Sequence, residues 1–133
     1  MDVTASAHAA ALWVGLHMIL LLALSVLVVR QRRKHRVTLG DGGIPALAQA
    51  SRAFGNATEY VPSAMVAVAV LAMVGAPTVL IHVIGFVLLV GRVLHAVALS
   101  RSGGASALRA IGVLATWLAF IAAAVALLFY AIP

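Results

Sequence analysis

The sequence contains no cysteine, which excludes disulfides, thiolate metal sites and a cysteine nucleophile. Charge is nearly as scarce. Asp and Glu together number three, Lys and Arg nine, and the four types make up 9% of 133 residues. A soluble domain carries about a quarter charged residues, so a water-soluble globular protein is excluded. The net charge of +6 comes with no nucleic-acid-binding module, and no nucleic-acid partner is expected. Five of the nine basic residues crowd into VVRQRRKHRV, as Arg30, Arg32, Arg33, Lys34 and Arg36. Beside an apolar run, that cluster reads as an anchor on acidic lipid headgroups. A cleavable signal pattern is also lacking: the early charge is Asp2, the apolar stretch exceeds the usual ~7–15 residues, and the basic run follows it. That stretch is therefore expected to persist as a membrane span.

What is abundant is apolar: 65% of residues, with a mean hydropathy of +1.17. A first span is expected from about Ala9 to Val29, close to the roughly 20 residues a crossing helix needs. LGDGG then supplies turn chemistry, and Pro45 suits the first turn of a second helix reaching about Met73. No charge occurs from Tyr60 to Gly91, too long a stretch for one span, and VGAPT breaks it, because Pro77 cannot continue a helix comfortably. A third helix is expected over Thr78 to Leu99. RSGGAS forms a turn, and a fourth helix runs from Ala107 to about Ala131. The expectation is one all-α domain over residues 1–133, a four-transmembrane-helix bundle with antiparallel neighbours. The loops after spans one and three carry Arg30 to Arg36 and Arg101, so both are expected to face the cytoplasm.

Inside span two, Arg52, Asn56, Glu59 and Ser63 follow the i, i+4, i+7, i+11 spacing of one helical stripe, with Tyr60 beside it. At ~1.5 Å per residue, Arg52 lies about 10 Å and Glu59 about 21 Å beyond Pro45, and Arg92 about 12 Å from Ser100. His95 follows Arg92 by one turn toward the cytoplasm, and Arg109 opens span four on that side. Three arginines from three helices thus converge on one carboxylate. A structural ion pair would leave positive charge over, and membrane-buried charge usually marks function. A ligand with two carboxylates and one ammonium balances the set, and glutathione has that pattern.

The run R-A-x-x-N-x-x-E-Y-x-P over Arg52 to Pro62 resembles the signature of the membrane-associated proteins in eicosanoid and glutathione metabolism (MAPEG). LGDGG before it and GRVLHAVAL after it are similar to the same family, especially its microsomal prostaglandin E synthase branch. The resemblance implies a homotrimer in a membrane, bacterial inner by expectation, with glutathione between subunits near the cytoplasmic face. It implies glutathione contacts from Arg52, Asn56, Glu59, Tyr60, Arg92 and His95, and from Arg30 of a neighbouring subunit. Arg109 matches the thiol-activating arginine. The activity implied is a glutathione transferase or peroxidase acting on lipophilic electrophiles from the bilayer. Phe54, Leu99 and Ala110 depart from the prostaglandin branch and point away from prostaglandin isomerisation. Two other readings compete: a non-catalytic scaffold of the same fold that binds lipid or glutathione, and a small four-span exporter. The exporter is disfavoured because arginines around Glu59 repel cations.

Several further residues carry smaller expectations. The Asn56-Ala57-Thr58 glycosylation pattern falls within a span and reads as accidental. His8, His17 and His82 have no partner at metal spacing, so no metal site is expected and packing or interfacial roles are assigned. Trp13 and Tyr130 read as interfacial anchors, and Gly85 and Gly91 as points of close helix contact.

Overall fold

The computed structural model describes residues 3–101, 104 and 106–132. Four helices follow in order: α1 (Val3–His35), α2 (Pro45–Met73), α3 (Thr78–Arg101) and α4 (Ala107–Tyr130). All four are long and apolar enough to cross a membrane, and no strand occurs among the described residues. The protein is a four-helix membrane bundle. α2 and α3 form its central pair, each touching every other helix, while α1 and α4 flank them without contact among the described residues.

The breaks fall where the chemistry of the chain puts them. Pro45 occupies the first turn of α2, where its missing N–H costs nothing. Gly75 takes a φ of 75° just past α2, a left-handed position that ends helices cheaply only with glycine. Ser106 caps α4, its hydroxyl accepting from the Arg109 N–H at 3.2 Å. Within the expected RSGGAS turn, Ser102, Gly103 and Ala105 lie outside the described residues, as does Asp2.

α1 is longer than expected. Its 33 residues extend about 50 Å at 1.5 Å per residue, well beyond a hydrocarbon core of roughly 30 Å. The helix does not stop at the basic run because cations favour a helix C-terminus. It ends one residue past His35, where Arg36 takes a φ of 56° and the Val37 N–H donates to the Arg32 carbonyl at 3.0 Å.

Trp13 is not an interfacial anchor, being only 8% exposed. A Cβ on Gly85 would stand 2.2 Å from the Trp13 ring, so the absent side chain is the slot in which the indole lies. The indole N–H donates to His82 Nδ1 across α1 and α3 at 3.1 Å, and Phe86 meets the ring edge-on. His17 is fully buried, its Nδ1 2.7 Å from the carbonyl of Trp13 one turn earlier, a packing role as expected.

Candidate functional site

The site grows from the crossing of α3 and α4. Gly91 and Gly112 face each other so closely that a Cβ on Gly112 would stand 2.7 Å from the Gly91 carbonyl oxygen. With the backbones this near, Arg92 cannot extend outward, and its side chain is 2% exposed. Its Nε donates to Thr116 Oγ1 at 2.8 Å, one Nη to Asn56 Oδ1 at 2.5 Å, and the other more weakly to the Gly112 carbonyl at 3.4 Å. Thr116 Oγ1 in turn donates to the same carbonyl at 2.8 Å. The guanidinium carbon also lies 5.1 Å from the Tyr60 ring centroid, a cation–π arrangement, and Phe120 braces that ring edge-on at 5.5 Å. Four neutral groups therefore hold one buried cation.

From Arg92 the network runs outward along α2. Asn56, with its carbonyl oxygen taken by Arg92, donates its amide N–H to Glu59 Oε2 at 3.3 Å. Glu59 Oε1 lies 3.5 Å from an Arg52 Nη. The Arg52 and Glu59 side chains are 58% and 53% exposed, so the chain of contacts passes from a buried cation to an open charged pair on the outer face of α2. Such a pair contributes little where water reaches it, and at membrane depth it calls for a further polar partner. Beyond it the face continues with Ser63, Val66, Val70 and Met73, all exposed.

The remaining expected residues are placed differently. His95 is 3% exposed, one turn from Arg92, and the charges of Arg92, Arg109 and Arg52 all act on it. Arg109 is half-buried at the start of α4. It lines an open groove of about 450 Å³ with Ser106, Ala110, Val113, Leu114 and Trp117. Arg30 is exposed on α1, in a separate groove with Leu27, Gln31, Arg33 and Lys34. The structure thus brings Arg52, Asn56, Glu59, Tyr60 and Arg92 into one network with His95 adjoining, and leaves Arg30 and Arg109 to line other surfaces. Gly112 and Thr116 are missing from the sequence reading. Their signal was the one threonine of an apolar helix, one turn after a glycine.

Residues 10–129 match the sequence profile described as the MAPEG family. An 85-residue stretch is 46% identical to the inner membrane protein YecN of Escherichia coli strain K12, covering 64% of this chain and 65% of that protein. The same values hold for YecN of Escherichia coli O6:H1. The matched region thus spans a little under two thirds of the length of these relatives. A profile match across most of the chain, four apolar crossing helices and an inner membrane relative identify the protein as an integral, multi-pass membrane protein that belongs to the MAPEG family.

Proposed function

We propose that the protein is a glutathione-dependent transferase acting on lipophilic electrophiles drawn from the bilayer, working as a homotrimer with its basic loops in the cytoplasm. The observation that carries this reading is the half-exposed Arg52–Glu59 pair at the open end of the Arg92–Asn56 network. The pair offers a cation and an anion side by side, which suits the carboxylate and ammonium of one amino-acid end. Asn56, Tyr60 and His95 form the wall behind it, with Arg92 fixing Asn56 from inside. Arg30 of a neighbouring subunit would face the second carboxylate. The open side of α2 is the surface on which that neighbour would close the site, and native mass spectrometry in mild detergent should then show three subunits.

In the reaction, the glutathione thiol loses its proton and the thiolate attacks the electrophilic carbon. A C–S bond forms while the leaving group departs with its electron pair. A free thiol has a pKa of about 8.5 and is mostly protonated at neutral pH. A guanidinium near the sulfur favours the thiolate, most strongly where water is scarce. Arg109 is suited to this role because it stands at the end of an apolar groove along α4, where sulfur and lipophilic substrate can meet. Arginine does not serve as base, so the proton passes to water.

Two substitutions test the reading by a glutathione titration and an aryl-halide conjugation assay. Glu59→Gln should weaken glutathione by about 1.5–3 kcal/mol, the range for a hydrogen bond to a charged group; an unchanged Kd removes Glu59 from the site. Arg109→Ala should leave the Kd nearly intact and lower turnover at least ~10-fold, about 1.4 kcal/mol in the barrier. The internal satisfaction of Arg92 favours a second reading, a non-catalytic scaffold with this polar network as a packing device. That reading requires no conjugation by wild type and no effect of Arg109→Ala.

A further inference from the structure

The last turns of α1 hold a second polar region, apart from the Arg52–Arg92 network. Leu27, Arg30, Gln31, Arg33 and Lys34 line a groove of about 430 Å³, and their spacing of three and four residues places them on one helical face. Along that face the chemistry is ordered. Leu27 is 41% exposed, the Arg30–Gln31 rung follows one turn later, and Arg33 and Lys34, both exposed, one turn after that. Apolar surface at one end and cations at the other match the acyl chains and phosphate of a lipid, and the rung between them lies within a short headgroup's reach of the cations. None of the described lining residues is acidic.

Leu27 and Gln31 also line an adjoining cavity of about 200 Å³, with Gln49 and Ser100 among its walls. The Gln31 side-chain oxygen is buried and has no hydrogen-bond partner among the described residues, and a buried acceptor left unpaired costs about 1–3 kcal/mol. The Ser100 hydroxyl spends its proton on the Ala96 carbonyl at 2.9 Å, leaving its lone pairs to accept. Two acceptors in a small cavity beside a cationic groove ask for hydroxyl donors tethered to an anion.

We propose that this end of α1 binds one anionic phospholipid with a hydroxylated headgroup, of the phosphatidylglycerol class. Arg33 and Lys34 hold the phosphate, and the headgroup hydroxyls donate to Gln31 and Ser100 in the inner cavity. The glycerol backbone and acyl chains run down past Leu27 onto the exposed apolar side of α1, where Val26 and Ile19 are 46% and 65% exposed. Leu27 lies within the expected first span, so the groove opens at that end toward acyl chains, and the site is assigned to a lipid and not to a soluble phosphate. Arg30 lines the groove, but the contacts assigned to the lipid are those of Arg33, Lys34, Gln31 and Ser100, so the lipid site does not depend on the role given to Arg30 above.

The test is native mass spectrometry of the detergent-purified full chain with three lipids of identical acyl chains. Phosphatidylglycerol should be retained at one per subunit and at least ~10-fold better than zwitterionic phosphatidylcholine, with the preference shrinking as salt rises. Phosphatidylmethanol, equal in charge but lacking hydroxyls, should fall between them. R33Q/K34Q should bring phosphatidylglycerol down to the phosphatidylcholine level without changing glutathione affinity. Gln31→Leu should bring phosphatidylglycerol down to phosphatidylmethanol and leave the latter unchanged. Equal retention of all three lipids by wild type overturns the proposal, as does an unaltered preference in both variants. Displacement of the lipid by soluble glycerol phosphate at equal concentration would assign the site to a soluble anion. A loss of glutathione affinity in R33Q/K34Q with lipid retention intact would place these residues in the glutathione site instead.

Discussion

Replacing Arg92 by methionine should destabilise the protein by on the order of 3 kcal/mol, because two short hydrogen bonds from a cation are lost, each worth roughly 1.5–3 kcal/mol. The removal of a buried charge offsets part of that sum. Methionine fills much of the same volume, so the loss reports the bonds and not a cavity. Thr116 keeps its bond to the Gly112 carbonyl, but the Asn56 carbonyl oxygen loses its partner, and Asn56 is then free to turn away from Glu59. Thermal unfolding in detergent should show the lower midpoint, and a glutathione titration should show weaker binding from the same variant. Arg92→Lys keeps the charge but not the three-way fork, and should recover only part of either property. A wild-type midpoint in Arg92→Met would show that the buried guanidinium does not hold the helices.

The second large effect is expected at the glycine contact. Gly112→Val adds a branched side chain where a single Cβ would already stand 2.7 Å from the Gly91 carbonyl oxygen and 2.8 Å from the His95 backbone nitrogen. Both neighbours are backbone, so neither can swing aside, and α3 and α4 must part. Overpacking in cores costs about 1–3 kcal/mol and occasionally more; separating two backbones belongs at or above the top of that range. Thr116 and Arg92 both bond to the Gly112 carbonyl, so the polar network should loosen with the helices. Gly15→Ala is the control. Nothing lies within 4 Å of its Cβ position, and an alanine there should be neutral or stabilising by up to about 1 kcal/mol. If Gly112→Val unfolds at the same denaturant or temperature midpoint as Gly15→Ala, the close crossing is not what holds α3 to α4.

Much of this protein is legible in its residues alone. Four apolar runs broken by Gly-Gly and Gly-Ala-Pro dictate four crossing helices, since a backbone in lipid must satisfy its own hydrogen bonds. Pro45, Gly75 and Ser106 set helix ends by local chemistry, and the helical period puts Arg52, Asn56 and Glu59 on one face before any packing is known. Gly91 could be read as a contact point because a glycine in a membrane helix has little other use. The contents of those contacts were decided by the tertiary structure. Trp13 looked like an interfacial anchor until Gly85, 72 positions later, supplied its slot. Arg92 looked like one of three equivalent arginines, yet it alone is enclosed by Thr116, Asn56 and Tyr60, while Arg52 stays open and Arg109 lines a groove on α4. Periodicity assigns a side chain to a face of its own helix, whereas burial depends on which helix lies opposite and how near. Here that distance was set by Gly91 meeting Gly112, a pair 21 positions apart whose mutual fit exists only once the bundle has closed.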